Sequence, residues 1–304
     1  MEQNTARNFA LQLGSLITLY VSIVAVLMVV FGAINVLYPD AASYGWEYSS
    51  AQEGMRTGIA MLVVFFPVFL ITTRMVNRIR RTETGTYLVL TKWLVYLSLL
   101  VGGAVLLGDI VTVILGYLNG ELTTRFVLKA ASLAVVLSAA LFYYVKDAQG
   151  YWLTHEKESK LYGLVAIAIA VAALTVGFMF SDSPSKVREM KLDAEQVANL
   201  SDMQWRIEDH YRINKSLPKT TDELYVGISP AKAPESRTAY EYKVTDEDTY
   251  QLCATFMYPS TPINASTIAY VDSSMKNPYN NWDHGQGVTC FERTIVKEMV
   301  PMPL

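Results

Sequence analysis

Thirty residues from Phe9 to Tyr38 pass without a charged side chain. A helix rises 1.5 Å per residue and a bilayer's hydrocarbon core is about 30 Å thick, so about 20 apolar residues suffice to cross it. Four more runs of the same kind follow. Thr57 to Thr73 is opened by Arg56 and closed by Arg74. Trp93 to Asn119 is interrupted only by Asp109. Phe126 to Val145 carries Lys129 near its start, and Leu161 to Phe180 lies between Lys160 and Asp182. Core helices of soluble proteins do not stay apolar over such lengths five times in succession. The pattern predicts five transmembrane helices, and the first is too long for the apolar stretch of a cleaved signal peptide, about 7–15 residues.

After Ser181 the pattern changes to short, mixed periods. Following the linker SDSPSK, the positions Val197, Leu200, Met203, Ile207 and Tyr211 recur at helical steps, which predicts an amphipathic helix over about Ala194–Ile213. Leu217-Pro218 ends it, with Thr220 or Thr221 as cap of a short second helix. AYEYKV and TYQLCATFMY, joined by TDED, read as an antiparallel hairpin, and VTCFERTIV as a last strand beyond a long polar loop. The fold class is therefore a membrane all-α helical bundle of about five transmembrane helices, residues 1–181, followed by a small α+β domain, residues 182–304.

Charge sharpens this division. The first 181 residues hold 12 Lys/Arg and 10 Asp/Glu, the remainder 13 and 18. With the N-terminus in the cytoplasm, the inner segments carry Arg7, Arg74, Arg78, Arg80, Arg81, Lys146, Lys157 and Lys160, and the outer loops only Arg56 and Arg125. That bias predicts a cytoplasmic (inner) membrane protein with an extracytoplasmic C-terminal domain. The stretch RMVNRIRR is where anionic lipid is expected to pull on the cytoplasmic face. Tyr38, Tyr44, Trp46, Tyr87, Trp93, Tyr143, Tyr144, Tyr151 and Trp152 gather at the ends of the runs, as interfacial aromatics do. Both cysteines, Cys253 and Cys290, lie in the domain assigned to the oxidising side, where they are expected to form a structural disulfide. With no accompanying set of histidines they make a poor zinc site.

Candidate chemistry is sparse. Asp109 and Lys129 sit on helices joined by the loop NGELTT, and an intramembrane ion pair between them is expected, either fixing the helix hairpin or lining an ion path. Gly102, Gly103 and Gly108 nearby are expected to allow close helix packing, and Pro67 to kink the second span. His155, His210 and His284 all fall outside the apolar runs, which excludes a bis-histidine membrane haem. No phosphate-cradling loop, HExxH or GxSxG occurs. No catalytic residues are assigned, the chain is read as no enzyme, and no cofactor or nucleic-acid partner is expected. The loop residues Asp272, Asn277, Asn280, Asn281 and Asp283 offer oxygens of the kind Ca²⁺ takes, with Asp272 and Asp283 as the acidic ligands. His284 beside Asp283 reads as a surface pair, and Trp282, Tyr279 and Tyr258 as an exposed contact patch.

From Leu161 to Phe291 the order of segments resembles the globular half of type IV pilins and type II secretion pseudopilins: a membrane helix running into an amphipathic helix, a Leu-Pro turn, YEY-type strands and a late cysteine pair. The resemblance implies a pilin-like extracytoplasmic domain and favours calcium in the acidic loop. The front part, from Arg7-Asn8-Phe9 through the fourth span, resembles an uncharacterised bacterial family of multi-pass membrane proteins, a domain of unknown function. The expected role is a membrane protein that touches lipid through its bundle and binds or assembles with an envelope protein partner through its C-terminal domain. The alternative is a transporter or channel subunit with a polar path at Asp109 and Lys129.

Overall fold

The computed structural model describes residues 2–39, 46–82, 86–120, 122–225, 227, 229–260 and 281–295. The chain divides into two compact units, with the main break between Ser181 and Asp182 and the short segment Tyr44–Trp46 assigned to the second.

The first unit is helical: α1 (Glu2–Leu37), α2 (Trp46–Thr82), α3 (Thr86–Leu118), α4 (Thr124–Ala148), the single turn α5 (Tyr151–Thr154) and α6 (Glu156–Phe180). All but α5 are long and apolar enough to cross a membrane. Helix α2 runs 37 residues, about 55 Å, so it extends past its apolar middle at both ends. Pro67 lies within it. Half of the apolar stretch of α1 is buried inside the bundle, against a sixth or less for the other four. α1 is thus the central helix, and the other four turn most of their apolar surface outward, where a bilayer stands in for the missing partner.

Close approach at the centre depends on glycine. A Cβ at Gly58 would stand 2.9 Å from the Ala25 carbonyl oxygen, and one at Gly32 3.0 Å from that of Ala51. Gly177 of α6 meets Ile59 and Val29 in the same way. The resulting core holds Ala25, Val26, Val29, Met55, Ile59, Leu62, Ala170 and Ala173. Of the three glycines expected to do this near Asp109, only Gly102 has a neighbour, Leu141; Gly103 and Gly108 face open space.

The second unit packs α7 (Pro184–Asn214) and a 3₁₀ turn (Thr221–Leu224) on a three-stranded antiparallel sheet of β1 (Glu241–Val244), β2 (Thr249–Phe256) and β3 (Gly287–Thr294), in that spatial order. α7 begins ten residues earlier than the apolar stripe indicates, because Ser183 accepts the Lys186 backbone N–H at 3.3 Å and Pro184 takes the first turn. The second half of the linker, Pro184 to Lys186, therefore belongs to the helix. Lys215, at φ 59°, closes it in the left-handed conformation. Tyr250, Leu252, Ala254 and Phe256 of the central strand meet Leu200, Met203 and Ile207 of α7 in the core. Cys253 and Cys290 stand directly opposite each other in the β2–β3 register and are joined by a disulfide.

Candidate functional site

Polar side chains are concentrated in one place inside the bundle. Asn8, Gln12, Ser15, Thr18 and Ser22 of α1 are all buried. Their spacing of four, three, three and four puts them on one face of the helix. Thr18 and Ser22 satisfy themselves locally, donating to the carbonyls of Gly14 (2.8 Å) and Thr18 (2.7 Å). Ser15 instead reaches across to α2, where its hydroxyl shares a 2.7 Å hydrogen bond with that of Thr73. α1 and α2 run antiparallel, so seven residues back from Ser15 and seven forward from Thr73 reach the same level two turns away. Those residues are Asn8 and Arg80. Asn8 Nδ2, Gln12 Oε1 and Arg80 Nε are buried there without a hydrogen-bond partner among the described residues.

Arg80 turns into the bundle, away from the other arginines of its stretch. Its Nη1 donates to both carboxylate oxygens of Asp147, in the last turn of α4, at 2.7 Å. The two side chains are only 6% and 7% exposed. A buried pair of this kind gains little over apolar packing, but losing one member strands a charge in a low dielectric. Aromatics close around it. Gly150, at φ 74°, turns the chain out of α4, and Trp152 folds back so that Nε1 donates to the Tyr143 carbonyl at 2.9 Å while its ring stacks on Tyr143 at 5.1 Å. Tyr144 is buried with Leu16 and Val95. Arg81, next to Arg80 in sequence, donates to the Trp152 carbonyl and pairs with Glu156 at 3.3 Å. Tyr144 and Trp152, expected at the lipid interface, therefore belong to the interior, whereas Trp93 is exposed.

This end of the bundle is a lock: α2 is joined to α1 by a hydroxyl pair and to α4 by an ion pair, and Trp152 of α5 packs on Tyr143 of α4 and accepts from Arg81 of α2. Sequence reading placed Arg80 among the interfacial cations and passed over Asp147. The available signal was helical: α4 continues one turn past its apolar run, which sets Asp147 three and four residues from Tyr144 and Tyr143, on their face.

The expected site residues fare differently. Asp109 and Lys129 are both half-buried on α3 and α4, yet no ion pair joins them among the described residues. Asp283 is exposed, with its N–H donating to Asn281 Oδ1 at 2.9 Å. Asp272 lies outside the described residues, as do Asn277, Tyr279 and Asn280. Among the described residues no group of three acidic, histidine or cysteine side chains is placed to hold a metal. His284 is no surface residue: its ring stacks on Phe256 at 3.7 Å, and its N–H donates to Ser260 Oγ. Trp282 is likewise buried, against Phe291 and beneath the Arg293 guanidinium at 4.5 Å. Both are inside because the chain entering β3 covers the open end of the core.

Two buried polar centres of the second unit had no sequence signal. Asp193 accepts the backbone N–H groups of Met257 and Tyr258 and pairs with Arg237 at 2.8 Å, and Arg237 also reaches Glu189. Arg293 lies on the inward face of β3, donating to Gln204 Oε1 and to the Asn281 carbonyl. They tie α7 to the loops at either end of the sheet. Neither presents a nucleophile or a free acid.

Residues 8–145 match the family model called Domain of unknown function (DUF5671). The match begins at Asn8, the first buried polar residue of α1, and takes in Thr73 and Arg80 but ends before Asp147. No curated protein and no solved structure matches the chain.

Proposed function

We propose that this chain is a membrane-anchored binding protein of the bacterial cell envelope. Its bundle sits in the cytoplasmic membrane with the N-terminus inside, and its pilin-like C-terminal domain, outside, binds or assembles with an envelope protein. The observation that carries the reading is the bond between the chain's only two cysteines, Cys253 and Cys290, in the second unit. Disulfides persist in oxidising compartments and are rare in the cytosol. The eight-to-two excess of cations on the segments assigned to the inside supports the same orientation. The buried polar centres of the second unit are engaged internally, Asp193 with Arg237 and Arg293 with Gln204, which favours anchoring and recognition over catalysis in that domain.

Cysteine labelling in whole cells tests the orientation. A cysteine replacing Arg78 should label only after permeabilisation, and one replacing Glu47 should label from outside; the reverse pattern overturns the reading. A photoreactive residue at the exposed Trp205 of α7 should give a protein adduct of one discrete mass in cells. Lipid adducts or none at all, from Trp205 and from other exposed positions of the domain, would remove the binding role.

The buried polar face of α1 favours a second reading, a transporter or channel subunit, with the path along Asn8, Gln12 and Ser15 instead of Asp109 and Lys129. Ion or solute flux in proteoliposomes that is abolished by Gln12→Leu, with no fall in thermal stability, would favour it over the first.

A further inference from the structure

One face of α2 changes character along its length without changing direction. Val64, Val68, Ile71 and Met75 are all exposed, and their steps of four, three and four keep them on one line of the helix. The next step of three reaches Arg78. Arg74 and Arg81 lie three or four residues from members of this line, and all three arginines are exposed. Arg80, one position away from Arg81, points to the other side and is held by Asp147. The stretch RMVNRIRR thus sorts its cations by face: one braces the bundle from within, and three continue the lipid-facing stripe beyond the apolar run that ends at Thr73. A surface that is apolar where acyl chains lie and guanidinium-rich one turn further along matches a phospholipid laid against the helix.

We propose that Arg74, Arg78 and Arg81 form a headgroup site for an anionic phospholipid. The acyl chains of the lipid pack on Val64, Val68, Ile71 and Met75, and its phosphodiester is held by guanidinium groups, which bind phosphate through two parallel N–H donors. Net negative charge selects the lipid, since a zwitterionic headgroup brings its own cation to the same place. Arg81 is tethered by its contacts with Glu156 and Trp152 and forms the fixed wall of the site, with Arg78 and Arg74 one and two turns nearer the apolar stripe. The proposal rests on the membrane reading alone and holds whichever way the bundle is oriented.

The test uses the full chain in nanodiscs containing equal parts phosphatidylglycerol and phosphatidylcholine, with retained lipids counted by native mass spectrometry after release. The native protein should retain phosphatidylglycerol preferentially. Arg74→Gln/Arg78→Gln should lower that preference about fivefold per arginine, Arg74→Lys/Arg78→Lys should keep most of it, and Arg56→Gln, at the opposite end of α2, should leave it unchanged. Raising salt from 50 to 500 mM on the native protein, roughly a threefold shortening of the screening length, should weaken it as well, a readout that needs no variant to fold. Equal retention of both lipids by the native protein overturns the proposal, as does an equal loss in Arg56→Gln. If inorganic phosphate at millimolar concentration displaces the retained lipid, the surface is a soluble-anion site and the lipid assignment falls. Failure of the chain to enter nanodiscs at all would instead strike the membrane reading.

Discussion

Arg80 and Asp147 show how much a single residue's surroundings decide. Replacing either alone, by Arg80→Met or Asp147→Leu, leaves the other charge buried and should cost about 3–5 kcal/mol of stability. The double replacement removes both charges and should recover most of the loss. Thermal unfolding of the four proteins in one detergent measures the coupling, and simple additivity would mean the pair does not act as a unit. In the second unit, Tyr242 donates its hydroxyl to the Pro218 carbonyl at 2.9 Å. Burial, with the Glu223 carboxylate adding to it, pushes the phenol up to about 12 from its usual 10. The folded chain holds this proton at pH values where the unfolded chain has released it. Its contribution is therefore fully present below pH 10 and is lost as the pH rises toward 12. Denaturant midpoints should decline over that interval, and Tyr242→Phe should start lower, having lost the hydrogen bond, and decline less.

At the scale of elements, the bundle depends on where its glycines fall. Gly58→Ala sets a methyl group against the backbone of α1, which has little room to yield, and should cost about 1–3 kcal/mol. Gly103→Ala meets nothing; it removes a flexible residue from a helix interior and should be neutral or stabilising by up to about 1 kcal/mol. Melting temperatures of the two variants in the same micelle check this, and a larger loss at Gly103 would contradict the packing of α3. The contrast reflects position. α1 lies between its neighbours and must be approached closely, whereas α3 turns an apolar side outward.

At the scale of the whole molecule, the second unit should fold by itself. Residues 182–304 include one continuous core formed by α7 and the sheet, with Asp193, Arg237 and Arg293 paired inside it. Expressed in an oxidising compartment, this segment should unfold in a single cooperative transition and show no reactive thiol. The disulfide closes a loop of 37 residues, so in the chain-entropy model its reduction should remove about 4 kcal/mol and lower the midpoint. Two reactive thiols in the folded segment would sink the disulfide and the outer placement with it. A segment without cooperative unfolding would show that the unit depends on the bundle.

The elements and their order could be read from the chain itself. Five apolar runs need no partner to be recognised, because the requirement they meet, hiding backbone and side chains from water across a fixed thickness, is local in sequence. The hairpin, the last strand and the helical stripe of the second unit were legible for the same reason: period two and period 3.6 are properties of neighbours. Pairing was not legible wherever it joined distant residues through burial. Asp109 and Lys129 looked like partners because both interrupt apolar runs, whereas Asp147, in what reads as a polar turn, is buried against Arg80. Trp282 and His284 sat in a polar loop by composition and entered the core because the sheet had an open end to cover. The sequence by itself determined which segments are long and apolar enough to cross a membrane, which form the helix and sheet that follow, and that Cys253 and Cys290 belong to one unit. Only the tertiary structure decided which charges face inward. A polar side chain is stabilised by the partners it finds, and helix packing and strand register, not adjacency along the chain, bring those partners within reach.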